Sequence, residues 1–322
     1  MSVTKVLCFM LISLAIKAQP DKIYTSLEEA LKVTESVYKL DLNKKELKEL
    51  PADIAKFKNL KELYLAGNQL SSLPDFLKKL DNLEVLNLYS NNFTVFPKVI
   101  CKMHQLKELN LGFNSIKQLP GCVKQLKMLS SLHLGVNYLG EAVSLTLPPN
   151  LDSLNLAINN FKVFPKELAY QKKLQILVLN GNKFKSLPPA ISELTKLKQL
   201  YIGYMPLTSL PEQLAELKDL QVLDLSNNPN AIEMNMLSIL GESFKKLENL
   251  KTLNLEALRL KELPEWICSL RSLETIDLRG NRIAKLPDCM INLKNLKEIK
   301  TGEKEISKEL IDAFFKLKKA DE

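Results

Sequence analysis

Few residues of this 322-residue chain could carry chemistry: four cysteines downstream of Cys8, two histidines and scattered carboxylates. Cys101 and Cys122 lie 21 positions apart, and so do Cys268 and Cys289. The placement repeats too: Cys101 stands four residues after Pro97 and Cys268 four after Pro264, while Cys122 and Cys289 each stand two after a proline. Cys101-x-x-His104 is half of a metal site, and no second half accompanies it. His104 and His133 have no evident third partner, and there is no glycine-rich phosphate loop, no Gly-x-Ser-x-Gly and no cluster of metal ligands. Asp224, Glu256 and Asp277 are candidates for paired carboxylates, but ordinary solvated strand positions account for them far better. The expectation is a non-enzyme without cofactor or metal.

Composition narrows the class. With 46% hydrophobic residues, 25% charged and only 10 Gly, the chain has apolar surface to bury and no signature of disorder. Lys5, the uncharged run 6–16 and Ile16-Lys17-Ala18 before Gln19 read as an export signal over residues 1–18, cleaved near Ala18; the run is too short to span a bilayer. Lys5-Val6-Leu7 lacks the small residues that a lipid-anchoring Cys8 needs. Removing this segment lowers the formal charge from +8 to +6. The lysines lie in mixed stretches such as Lys44-Lys45-Glu46, a solvated pattern that argues against nucleic acid.

Internal repetition sets the architecture. The pattern Leu-x-x-Leu-x-Leu-x-x-Asn-x-Leu-x-x-Leu-Pro recurs twelve times, from starts at Val37, Leu60, Leu83, Leu106, Leu129, Leu151, Leu174, Leu197, Leu220, Leu250, Leu273 and Leu296. The spacing is 23 residues except for 22 after Leu129 and 30 after Leu220. In one unit, Leu63 and Leu65 alternate with Glu62, Tyr64 and Ala66 as a short strand does, Asn68 turns the chain, and Pro74 opens a return limb closed by Leu77 and Leu80. One coil cannot bury its own leucines, so stability must come from stacking.

This pattern resembles the leucine-rich-repeat class over residues 37–306, and its 23-residue Leu-Pro units resemble the Ras-suppressor and plant disease-resistance type. The resemblance implies an α/β solenoid: a right-handed horseshoe with a parallel concave sheet, short helical convex limbs and helical caps at both ends. The caps are read at 19–36, with the capping box Ser26-Leu27-Glu28-Glu29, and at 307–322, with Leu310, Ile311, Phe314, Phe315 and Leu317 apolar. Caps at both ends read as a complete domain. The turn asparagine is replaced by Met205 and Leu258 inside the array and by Lys45 and Lys304 at its ends. The insertion 229–246 is read as a longer convex limb that packs down.

Adjacent coils stack near the distance a disulfide needs, so Cys101 is expected to join Cys122 and Cys268 to join Cys289, in keeping with export. The sequon Asn92-Phe93-Thr94 matters only in a eukaryotic secretory route. What remains for function is a surface. Outward positions of the second to eighth units carry Tyr64, Tyr89, Phe113, His133, Val136, Ile158, Val178, Tyr201 and Tyr204, whereas later units carry Asp224, Asn254, Glu256, Asp277 and Arg279. Seven strands at ~4.8 Å give a patch about 30 Å long, enough for a standard interface. The leading reading is an exported module, secreted or held in the periplasm or at the cell surface, that binds a protein or a glycan on its concave face. The alternatives are an intracellular scaffold of the Ras-suppressor type and an exported effector.

Overall fold

The computed structural model describes residues 21–141, 144–227, 241–302 and 311–316. The export signal read at 1–18, residues 229–240 of the insertion, Asn228 and Lys304 lie outside them, as does most of the segment 307–322.

The described chain forms a solenoid around one sheet of 13 parallel strands in sequential order. The strands are β1 (Ile23–Tyr24), β2 (Lys39–Asp41), β3 (Glu62–Tyr64), β4 (Val85–Asn87), β5 (Glu108–Asn110), β6 (Ser131–His133) and β7 (Ser153–Asn155). They continue with β8 (Ile176–Val178), β9 (Gln199–Tyr201), β10 (Val222–Asp224), β11 (Thr252–Asn254), β12 (Thr275–Asp277) and β13 (Glu298–Lys300). Each strand from β2 to β13 opens two residues after one of the repeat starts, and equivalent positions pair without slippage, as in Leu63↔Leu86 and Leu109↔Leu132. Leu63, Leu65, Leu70 and Leu77 are fully buried, and equivalent side chains merge into one core that extends from Tyr24 to Ile311.

The convex limbs are single 3-10 turns, among them Asp75–Lys79, Lys98–Lys102 and Gly121–Gln125. Five residues between two inward leucines suffice for one tight turn, not for an α-helix. Proline precedes the turn instead of entering it: Pro74 has extended backbone, ψ 152°, and its carbonyl accepts the N–H of Leu77 at 3.2 Å. Pro51, Pro97, Pro120 and Pro264 stand in the same place.

The turn asparagines form a buried ladder. The Asn114 Nδ2 donates to the carbonyls of Leu88, Leu111 and Gly112, and its Oδ1 accepts from the Phe93 N–H at 3.0 Å. Asn137 repeats this one coil later, donating to Leu111 and Leu134. Each amide therefore satisfies backbone of its own coil and of the one before. Met205 is fully buried in this row and supplies no amide to Phe184, whereas Asn182 bonds the Phe161 N–H.

Segment 19–36, expected as one helix, includes β1 paired to β2, the helix α1 (Leu27–Leu31) and a 3-10 turn at Thr34–Ser36. Ser26 Oγ caps α1 by accepting from the Glu29 N–H at 3.4 Å, and Ala30 is buried. At the other end residues 311–316 are helical, and Ile311, Phe314 and Phe315 pack on the core. The end of the insertion, Glu242–Lys246, is a regular 3-10 turn that buries Phe244. Two disulfides tie neighbouring convex turns, Cys101 to Cys122 and Cys268 to Cys289, with Cα–Cα distances of 5.7 and 5.8 Å.

Candidate functional site

The strands are three residues long, so strict alternation ends soon after the second inward leucine. Of the nine side chains expected on outward strand positions, only Tyr64, His133, Val178 and Tyr201 are on strands. Tyr89, Phe113, Val136, Ile158 and Tyr204 lie beyond the strand ends, in the turn before the buried asparagine row. The expected single patch is thus two rows of different character.

The row at the strand ends is half-buried, and Tyr64, His133 and Tyr201 in it make side-chain bonds within their own strands. The Tyr64 hydroxyl donates to Glu62 at 2.6 Å, and the Tyr201 hydroxyl donates to Gln199 at 3.1 Å. Burial and then the Glu62 bond push the Tyr64 phenol up to about 12, and burial with Asp224 raises that of Tyr201. His133 Nε2 lies 3.1 Å from Ser131 Oγ, and burial lowers its pKa against the opposing pull of Glu108. Asn87, Asn110 and Asn155 share this row and escaped the sequence reading. Each Oδ1 accepts the N–H two residues ahead, at 3.0, 2.9 and 2.9 Å, an Asx turn that ends the strand. Asp224 and Asp277 do the same for Ser226 and Arg279. Those carboxylates are structural, and Asx residues two before the turn residue were the signal available for this role.

The turn row is strained, and it is exposed except at the half-buried Val136. Phe113, Val136, Ile158 and Tyr204 hold φ of 56°, 58°, 52° and 55°, in the left-handed region that Gly67, Gly181 and Gly280 occupy at equivalent positions. A non-glycine residue there costs about 1–2 kcal/mol, and more when it is β-branched. Phe113, Ile158 and Tyr204 are nevertheless more than half exposed, at 52%, 52% and 59%. Tyr89 joins the row, its ring centroid 5.8 Å from that of Phe113. Ile158 leans over Gly181, where a Cβ would come within 2.8 Å of its Cγ1. Solvent-exposed apolar groups at strained positions contribute little to folding. Ile158→Gly is therefore expected to raise the melting temperature by about 2 °C, relief of strain outweighing lost contacts. A lower melting temperature on thermal unfolding would mean that the side chain is retained for packing within the fold.

The later coils are polar and self-satisfied. Arg279 donates to both carboxylate oxygens of Asp277, at 2.6 to 3.1 Å, and reaches Glu256 at 3.3 Å. These bonds hold its guanidinium firmly protonated. Among the described residues no group of three or more histidines, cysteines or carboxylates is placed to hold a metal ion, and no helix is long and apolar enough to cross a membrane.

Comparison with known proteins agrees with this geometry. A family model described as a leucine-rich repeat region matches residues 25–168 and 220–319, and a second, described as a leucine rich repeat, matches 149–207 and 172–229. A leucine-rich-repeat protein of Leptospira interrogans is 25% identical, with a TM-score of 0.62 over 88% of either chain. An internalin of Listeria monocytogenes is 19% identical, with a TM-score of 0.63 over 86% of this chain and 84% of its own. The ectodomain of the plant receptor kinase GASSHO1/SCHENGEN3 from Arabidopsis thaliana, solved with Casparian strip integrity factor 2, is 24% identical with a TM-score of 0.59; the match covers 82% of this chain and 32% of that one. No curated protein matches the chain significantly.

Proposed function

Because the chain belongs to the leucine-rich-repeat family, we propose that it is a non-enzymatic module acting outside the cytoplasm, which docks a protein ligand on the concave face between Tyr64 and Tyr204. The observation that carries this reading is the turn row: Phe113, Ile158 and Tyr204 expose apolar side chains at positions where glycine costs the fold less, with Tyr89 exposed beside Phe113. Aromatic anchors in such rows supply most of the energy of protein association. The self-paired Glu256, Asp277 and Arg279 leave little free hydrogen-bonding capacity at the other end of the sheet, which favours the earlier coils as the docking half. The plant receptor ectodomain, built on this fold and solved in complex with Casparian strip integrity factor 2, is in keeping with a binding role. The two disulfides support an oxidising compartment.

The test is capture of ligand from the native environment by the wild type and by a variant with Tyr89→Ser, Phe113→Ser, Tyr201→Ser and Tyr204→Ser. Affinity for the captured partner is expected to fall at least thirtyfold, about 2 kcal/mol. Equal capture by both would move the site off the concave face. Mature protein beginning at Gln19 in an extracytoplasmic fraction is expected, and full-length protein in the cytosol would favour the intracellular scaffold.

A further inference from the structure

The lateral edge of the coils that start at Leu151 and Leu174 carries a groove. Here the chain passes from the asparagine row to the convex turns Lys166–Tyr170 and Pro189–Glu193. The backbone is tied from coil to coil: the Lys183 N–H donates to the Phe161 carbonyl at 2.8 Å, the Thr208 N–H donates to that of Lys185 at 2.8 Å, and Ser186 pairs with Ser209. Phe164 and Phe184 meet edge to face at 6.0 Å beneath it. Between the two coils lies an open groove of about 520 Å³, walled by Val163, Phe164, Phe184 and Pro188, a volume within the range of ligand sites. Val163 is 76% exposed, the highest value for a large apolar side chain among the described residues.

The rim of the groove is cationic. Lys162, Lys183 and Lys185 line it, and no carboxylate does. Some lysines elsewhere pair across adjacent coils, as in Lys107 with Glu84, Lys172 with Glu193, Lys246 with Glu216 and Lys297 with Glu274; the groove differs in bringing three unpaired ones to one apolar wall. Lys162, Lys183 and Lys185 have no ion pair among the described residues. Three like charges gathered round an apolar wall repel one another and attract an anion, while the wall asks for an apolar group. We infer that this lateral groove is a second binding site, separate from the concave face, and that it takes an acidic peptide segment anchored by an aromatic or aliphatic side chain. The anchor rests on Val163 and Pro188 above the buried Phe164 and Phe184, and flanking Asp or Glu residues reach the three ammonium groups. A sulfated sugar would satisfy the rim and leave the wall uncovered, so the peptide is the better fit to both features.

A surface array of random nonapeptides, probed with the labelled full chain, tests the inference. Peptides with an aromatic or aliphatic residue flanked by at least two Asp or Glu are expected to be enriched tenfold or more. The enrichment is expected to vanish on raising ionic strength from about 0.05 M to about 0.5 M. It is expected to vanish equally in the variant with Lys162→Ser, Lys183→Ser and Lys185→Ser and in Val163→Glu, whose side chains are all exposed, and to survive in the concave variant with four serines. Absence of enrichment, enrichment undiminished in both groove variants, or lysine-dependent retention on heparin without acidic-peptide binding would each overturn the inference.

Discussion

Alanine in place of Asn114 is expected to lower the free energy of unfolding by about 3 kcal/mol. The bonds of this residue are not equivalent, and the difference sets the figure. The Leu88 and Leu111 carbonyls each accept a second amide, from Asn91 and Asn137, and the Gly112 carbonyl also accepts the Ser90 N–H. The buried Phe93 N–H loses the acceptor that Asn114 Oδ1 provides at 3.0 Å. An orphaned buried donor costs about 1–3 kcal/mol, to which weakened carbonyl bonds and a small cavity add. Because coils stabilise their neighbours, the loss should spread along the stack. Urea unfolding followed by circular dichroism measures it; a change below about 0.5 kcal/mol would mean that water replaces the amide and that the ladder is dispensable.

Removing the disulfides should have an effect of similar size at each site. Both bonds close segments of 21 residues, and restricting an unfolded loop of that length stabilises the native state by about 3 kcal/mol in the chain-entropy account. The bonds lie in different parts of the solenoid, so Cys101→Ser/Cys122→Ser should weaken the early coils and Cys268→Ser/Cys289→Ser the late ones. Hydrogen exchange resolved along the chain should show this separation. Four free thiols in protein isolated from its native compartment, with no response of stability to reductant, would contradict both the bridges and the export they support.

The sequence made the solenoid readable because a coil that cannot bury its own leucines must repeat them in register. The twelve starts follow from that constraint, the asparagine row from the backbone groups each turn must satisfy, and the cysteine pairs from the distance between adjacent coils. Residues governed by local backbone geometry were less legible. Period-two alternation places Tyr64 correctly but says nothing about Phe113 or Ile158, since β5 and β7 end at Asn110 and Asn155, three residues before each. Beyond that point φ is positive, and direction is set by the turn. Gly67, Gly181 and Gly280 were the available signal, occupying the same place in other units. The amide roles of Asn87, Asn110 and Asn155 went unread because each passes for a polar strand position when taken alone, and only the recurrence of Asn or Asp at that place in the unit signals the Asx turn. The lateral groove could not be read at all, because it depends on which lysines fail to meet carboxylates on adjacent coils.

In the proposed function the exposed row on the concave face is the working surface. Hydroxyl-radical footprinting of the chain with and without its captured partner addresses it most directly. Oxidation is predicted to fall at Tyr89, Phe113 and Tyr204 and to stay unchanged at Tyr170 and Met128, which are 74% and 51% exposed away from the concave sheet. Protection of Tyr170 and Met128 with no change along the concave row would place the partner on the convex side instead.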